Sequence, residues 1–227
     1  MKLKPALLAV PACAVTTAAL LATPASAATT FTVSPGGAWS GVQAPDSSIG
    51  IRDAVSNQVT LCTGLSASGG FRSGTGLSGA GIGSLTGIAF TGCVAERVPV
   101  TVSISTSAAN PAPITFTQEF PVGSTTMVGQ ATNISVTLDD ARGCHVVAGA
   151  RAGGPGFTGL AYRSSDHRLS FDSGGKGLFV QSAAPPCDNG QAGLDIKPGE
   201  RIDLGGFGDG ILDSSILVTP AQTITSP

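Results

Sequence analysis

The chain has 227 residues, with 12 lysines and arginines against 14 aspartates and glutamates, and a formal net charge of −2 at pH 7. Charged residues make up only 11% of it, and loss of the first two lysines with an N-terminal leader would leave a net charge of −4. Nucleic acids and anionic membranes bind basic surfaces. A weakly acidic chain with so few cations is therefore expected to bind neither.

The N-terminus has the three parts of a secretory signal peptide. Two of the first four residues are lysines, Ala6–Leu21 is an apolar run, and Ala25-Ser26-Ala27 offers the small side chains that a signal peptidase needs. The run is shorter than the roughly 20 residues of a membrane span. It also continues past Cys13, which argues against acylation there. We expect a signal peptide over 1–27 and an extracellular protein with no membrane span.

Four cysteines remain after cleavage, an even number in an oxidising compartment, so two disulfides are expected. Four cysteines allow three pairings. The segments Cys62–Cys93 and Cys144–Cys187 each contain glycine-rich turns and at least two strand-like pieces. Folding either segment back on itself brings its ends together. We therefore predict the disulfides Cys62–Cys93 and Cys144–Cys187.

Alternation of apolar and polar residues, the mark of half-buried strands, recurs along the chain. Val98–Ile104 alternates without a fault, and Ile134–Leu138 does the same. The region Trp39–Ser56 has no clear period, and Ile51–Val55 is expected to hold at most one helical turn. Glycine- and proline-rich turns separate the strand-like segments. We predict one secreted all-β domain over 28–227, an antiparallel β-sandwich or flattened barrel of about ten strands.

Two glycine-rich motifs resemble ligand sites but lack the context of those sites. Gly74–Gly79 has the glycine spacing of a dinucleotide-binding loop, which needs a helix after it, yet a strand-like piece follows. Gly205–Asp213 resembles a calcium-binding repeat that works by stacking many copies, and only one copy is present. We expect both to form turns or bends and predict no cofactor.

The two histidines of the chain are His145 and His167. Asp166 and His167 lie beside Ser164 and Ser165, which suggests a serine hydrolase. A catalytic triad is defined by geometry, however, and the chain has no Gly-x-Ser-x-Gly elbow. We therefore assign no catalytic residue.

Other candidate sites are equally incomplete. Cys144-His145 is a close pair of potential zinc ligands, but a zinc site needs three or four. Asp139-Asp140 is expected to cap a strand at a turn. Trp39 and Tyr162 are the only tryptophan and tyrosine, too few aromatic residues for a sugar-binding platform. We predict no metal site and leave the binding residues unknown.

Three segments resemble a family of small secreted actinobacterial β-proteins. They are the glycine-rich Ser73–Leu85 with the following Phe90–Cys93, the closing Val218–Pro227, and Phe31–Gly37 near the expected mature N-terminus. The resemblance covers about a third of the chain and does not extend through the middle. It implies secretion and a β fold, and it carries over no activity.

These observations favour a non-enzymatic extracellular protein, either structural or binding a partner at the cell surface or a small molecule. One alternative is a secreted hydrolase that uses His167. Another is a carrier that holds a small apolar ligand between its sheets, as secreted two-disulfide β-sandwich apoproteins do. A carrier should enclose an apolar cavity, and a hydrolase should place His167 within hydrogen-bond reach of a serine or a carboxylate.

Overall fold

The computed structural model describes residues 29–120, 123–172, 177–184, 187, 192–205 and 214–227. The predicted signal peptide lies outside these residues. The described residues form nineteen strands, and none of them forms a helix that could cross a membrane. The strands are β1 (Thr30–Ser34), β2 (Gly37–Gln43), β3 (Ile49–Asp53), β4 (Val59–Cys62), β5 (Gly64–Phe71), β6 (Gly74–Ser78), β7 (Gly83–Thr91), β8 (Cys93–Ala95), β9 (Val98–Ile104), β10 (Ala112–Glu119), β11 (Thr126–Ile134), β12 (Val136–Asp140), β13 (His145–Gly149), β14 (Gly156–Arg163), β15 (Arg168–Asp172), β16 (Phe179–Ala184), β17 (Ile202–Leu204), β18 (Ser214–Thr219) and β19 (Thr223–Thr225).

Sixteen of these strands form two tiers. The upper tier is a closed antiparallel barrel in the order β2-β5-β7-β10-β11-β14-β15-β18, with β18 returning to β2. The lower tier is a sheet in the corresponding order β3-β4-β8-β9-β12-β13-β16, with β17 pairing on the other side of β3. The predicted all-β antiparallel fold is confirmed, and of the two expected forms, a sandwich or a flattened barrel, the upper tier is a closed barrel.

The matching strand orders reveal eight long staves, each made of one upper and one lower strand that are consecutive along the chain. The lower tier is nearly closed, because an isolated bridge joins Phe179 to Arg201 and the Val180 N–H donates to the Glu200 carbonyl at 2.8 Å. The strand number exceeds the expected ten because every stave is broken near its middle. Ile51–Val55, expected to hold at most a helical turn, instead forms the end of β3 and the start of a turn.

Both predicted disulfides are present. The β4–β8 register places Leu61 opposite Val94, so Cys62 and Cys93 come next, facing each other where the chain passes between tiers. Gly92 lies beside this disulfide with φ of 59°, and a Cβ there would come within 2.2 Å of the Thr63 hydroxyl. A glycine is therefore needed at this junction.

The interior of the upper tier is filled with aromatic side chains. The ring of Phe71 lies 5.6 Å from that of Trp39, 6.3 Å from that of Phe116 and 5.7 Å from that of Tyr162, measured between centroids. Gly69 makes room for them, because a Cβ there would come within 2.5 Å of the Trp39 ring. Apolar residues of both tiers belong to one buried cluster.

Segments of the chain itself cover both ends of this two-tier structure. A small sheet in the order β19-β1-β6 lies over the upper end, where Phe31 of β1 contacts Phe116 of the barrel at 6.3 Å between ring centroids. At the lower end, Leu194 and Ile196 are buried. The Leu194 N–H donates to the carboxylate of Asp140 at 3.3 Å, which ties this segment to the β12–β13 turn.

The β8–β9 hairpin predicts a stabilising substitution. Ala95 pairs with Val98, and the two residues between them, Glu96 and Arg97, have φ of 47° and 75°. A two-residue turn of this kind favours Asn-Gly. We expect the double variant E96N/R97G to raise the free energy of unfolding by about 1 kcal/mol, since left-handed backbone costs other residues roughly 1–2 kcal/mol each and glycine returns part of that as chain entropy.

Urea unfolding of the double variant and of E96N alone tests this expectation. The single variant should gain less than the double variant. A double variant no more stable than the parent protein would contradict a strained turn.

The buried carboxylate of Asp140 leads us to expect that the folded state loses stability in acid. Its side chain is fully buried. Burial alone would raise the pKa of Asp140, but N–H groups of Cys144, Leu194 and Arg142 and the Arg142 guanidinium outweigh burial and hold that pKa below its ordinary value. A carboxyl with a depressed folded-state pKa stabilises the fold above its unfolded pKa of about 3.9, and this contribution is lost as the pH falls.

We therefore expect D140N to lower the free energy of unfolding by about 2–4 kcal/mol at neutral pH, because buried donors lose a charged acceptor. The difference from the parent protein should shrink below about pH 4. Urea titrations at both pH values measure it. D139N, at the half-exposed neighbour, is the control and should change stability by less than about 1 kcal/mol. Equal losses in the two variants would refute this role of Asp140.

Candidate functional site

The β14–β15 hairpin carries the residues that suggested a hydrolase. Arg163 pairs with Arg168 at its base, so the loop contains Ser164, Ser165, Asp166 and His167. His167 has a left-handed φ of 56°. Its Nδ1 lies 3.1 Å from the carbonyl oxygen of Gln222 and donates to it. The ring therefore holds the C-terminal segment in place.

The other members of the loop also have structural partners. The Ser164 hydroxyl donates to the carbonyl of Ile224 at 2.8 Å and accepts from its N–H at 2.9 Å. Asp166 receives two hydrogen bonds from Arg163, at 2.8 and 2.7 Å, and lies 3.1 Å from Arg168. The Arg163 hydrogen bonds are the main reason that the pKa of Asp166 is lowered. No hydrogen bond joins these serine, aspartate and histidine side chains into a proton relay.

Gln222 is the centre of this contact between the hairpin and the C-terminus, and sequence reasoning missed it. The buried side chain accepts a hydrogen bond from the Gly36 N–H at 2.9 Å and donates to the Pro220 carbonyl at 3.0 Å. Its own carbonyl accepts the Tyr162 hydroxyl at 2.7 Å, and burial raises the pKa of Tyr162 to about 12. The available signal was a glutamine just before β19, two residues from the apolar Ile224 in an alternating segment.

A second histidine–carboxylate pair lies on the outer face of the lower tier. Asp139 and His145 are opposite each other in the β12–β13 register, and Asp139 Oδ1 lies 2.6 Å from His145 Nδ1. The two side chains are half exposed. Cys144 is in a disulfide and cannot act as a zinc thiolate. Within the ranges that the structure describes, no three His, Cys, Asp or Glu residues are grouped to hold a metal ion.

The remaining sequence candidates also have positions in the fold. Gly74–Gly79 contains β6, and Gly76 has φ of 64° where the β1–β6 register shifts, so these glycines shape a bulge. Most of Gly205–Asp213 lies outside the described residues. Trp39 and Tyr162 are buried in the upper tier, so they offer no exposed sugar platform. The expectation that Asp139-Asp140 caps a turn holds for Asp140, which accepts from the Arg142 N–H.

One side of the upper tier carries few charged residues. The neighbouring strands β2, β5, β7 and β11 contain no charged residue, and β10, which lies between β7 and β11, has only its terminal Glu119. Their outward side chains are mostly hydroxyls, amides, glycine and alanine. One row runs from Ser40 to Ser68, whose hydroxyl lies 3.2 Å from that of Thr86. The charged groups of this tier gather instead around β14 and β15.

Exposed aliphatic residues lie on the same side. Val42 of β2 is 64% exposed and pairs with Leu217 and Ser66 on the two neighbouring strands. Leu61 and Val94 face each other on β4 and β8 and are 47% and 40% exposed. We name the outer side chains of β2, β5 and β7, together with Leu61 and Val94, the neutral face. It is the candidate functional surface.

The hairpin contact predicts that Q222L lowers the free energy of unfolding by about 1–3 kcal/mol, since the buried Gln222 amide loses its hydrogen bonds with the half-buried Gly36 N–H and with the Pro220 carbonyl. Urea unfolding measures this loss. The matched control is Q130L, because Gln130 is only half-buried on β11, and its change should stay within about 0.5 kcal/mol. Equal effects of the two substitutions would contradict a special role for Gln222.

The geometry thus gives the two histidines different surroundings and singles out an uncharged outer surface. Neither the surroundings of the histidines nor the uncharged surface by itself identifies a reaction or a ligand. Similarity to known proteins adds nothing to these observations, because the chain matches no family model, and comparisons with curated proteins and with solved structures find no match.

Proposed function

We propose that the chain is a secreted, non-enzymatic extracellular module that acts through its outer surface. The observation that carries the proposal is the filling of the upper tier by the Trp39, Phe71, Phe116 and Tyr162 side chains, with a sheet from the same chain over the end. A module of this kind recognises partners on its outside. The two disulfides are compatible with export.

Two alternatives receive less support. A hydrolase based on His167 would need that ring beside a serine or a carboxylate, whereas its Nδ1 hydrogen-bonds a backbone carbonyl. A carrier would need space inside the barrel, where aromatic rings already lie 5.6 to 6.3 Å apart. Export, cleavage after Ala27 and kinship with small secreted actinobacterial β-proteins are parts of this proposal, supported by the sequence segments described above.

The test starts with the mass of the exported protein, which should begin at Ala28. That protein is then screened against ester, peptide and glycoside substrates beside H167A and H145A, and we expect no turnover above the buffer rate in any sample. Circular dichroism checks that each variant is folded. A hydrolysis that either substitution abolishes in a folded protein would show that the chain is an enzyme.

A further inference from the structure

The two disulfides differ in how easily solvent reaches them. Three of the four cysteines are at most 5% exposed, whereas Cys62 is only partly buried. Its disulfide with Cys93 lies at the gap between the tiers, where Thr63 and Gly92 on the adjoining backbone are exposed. A thiolate reduces a disulfide by attacking one of its sulfur atoms, so the rate depends on access. A reductant in solution therefore reaches the Cys62–Cys93 disulfide first.

The two disulfides also differ in the spacing of the backbone that carries them. Cys62 and Cys93 are directly opposite each other in an antiparallel ladder, with their Cα atoms 3.9 Å apart. The Cα atoms of Cys144 and Cys187 are 5.3 Å apart. Opposed ladder residues normally have Cα atoms about 4.5–5.5 Å apart, and disulfides usually span about 4.4–6.8 Å. Breaking the Cys62–Cys93 bond lets the strands move to their usual spacing, which favours its reduction.

The hydrogen bonds on both sides of this disulfide keep its two cysteines together when the bond is broken. β4 pairs with β8 below it and β5 pairs with β7 above it, and the Thr63 N–H donates to the Thr91 carbonyl at 2.9 Å beside it. The two thiols thus stay adjacent and can form the bond again. Cys187, in contrast, belongs to none of the nineteen strands, so its disulfide itself ties that residue to the fold.

We propose that Cys62–Cys93 is a reversible redox switch that tightens or loosens the junction between the two tiers. The electrons come from a dithiol. A thiolate of the dithiol attacks the Cys62 Sγ and forms a mixed disulfide, while the bond to Cys93 breaks and the released Cys93 thiolate takes up a proton. The second thiol of the dithiol loses its proton and attacks the reductant's own sulfur in the mixed disulfide. The Cys62 thiolate leaves and is protonated, and the dithiol becomes a disulfide.

Reduction changes the junction without unfolding either tier. In the oxidised protein the ribbon between the tiers is held by a covalent bond and by hydrogen bonds, and in the reduced protein it is held by hydrogen bonds alone. Local opening at the Thr63 N–H therefore becomes easier, while the centre of the barrel is unaffected. This inference goes beyond the proposed function and does not depend on it.

Graded reduction of the folded, exported protein with dithiothreitol tests the order of the two disulfides. Samples are blocked with N-ethylmaleimide, and the modified cysteines are identified by peptide mapping. Cys62 and Cys93 should be modified at a dithiothreitol concentration at least about tenfold below that needed for Cys144 and Cys187. Simultaneous reduction of both disulfides, or earlier reduction of Cys144–Cys187, would overturn the proposal.

Hydrogen exchange, followed by NMR, tests the effect of selective reduction on the junction. The Thr63 amide should exchange at least about threefold faster in the reduced protein, while the Leu160 amide, on the barrel strand β14, should not change. The variant C62A/C93A should match the reduced protein at both amides, and oxidised dithiothreitol should restore slow exchange in the parent protein only. Unchanged exchange at Thr63, loss of the folded circular dichroism spectrum on selective reduction, or failure of the disulfide to form again would each refute the switch.

Discussion

The rest of the structure depends on one two-stranded ribbon, β4–β5 paired with β7–β8, which stays hydrogen-bonded across the gap between the tiers. β4 runs into β5 and β7 runs into β8, and hydrogen bonding persists through the junction because the Thr63 N–H donates to the Thr91 carbonyl at 2.9 Å. The Cys62–Cys93 disulfide lies just below this bond. Elsewhere, as between Ile104 and Ala112, a loop separates the two halves of a stave. The ribbon therefore fixes the position of one tier on the other.

The sequence could predict strands wherever apolar side chains mark the inner face. Val98–Ile104 and Ile134–Leu138 alternate because every second residue faces the core, and both segments contain strands as predicted. β2 was missed because Gly41 takes an inward position next to Ile216, where a Cβ would come within 2.7 Å of that side chain. A glycine at a core position removes the period-2 signal. The sequence also could not predict that the sheet closes into a barrel, because in barrels and in sandwiches alike every second side chain of a strand faces inward.

The roles of the candidate site residues, unlike the strands, could not be predicted from local sequence patterns. Sequence neighbours such as Asp166 and His167 suggested chemistry, yet their side chains point to different partners, an arginine pair and a backbone carbonyl. Long-range contacts decide such roles, and no local pattern reports them. The cysteine pairing was predictable because each disulfide closes a segment that folds back on itself. Gln222 and the neutral face were not, since one needs the path of the C-terminus and the other needs the order of the strands.

Barrel closure also affects how readily the chain could aggregate. Open strand edges are the usual template for amyloid-like growth. Among the strands that the structure describes, the small sheet ends in β6 and β19, which are short. Gly76 bends β6 with a left-handed residue, and Pro220 and Pro227 flank β19, where they cannot donate a backbone hydrogen bond. A serine- and threonine-rich chain with many strands thus offers few places for a fibril to start.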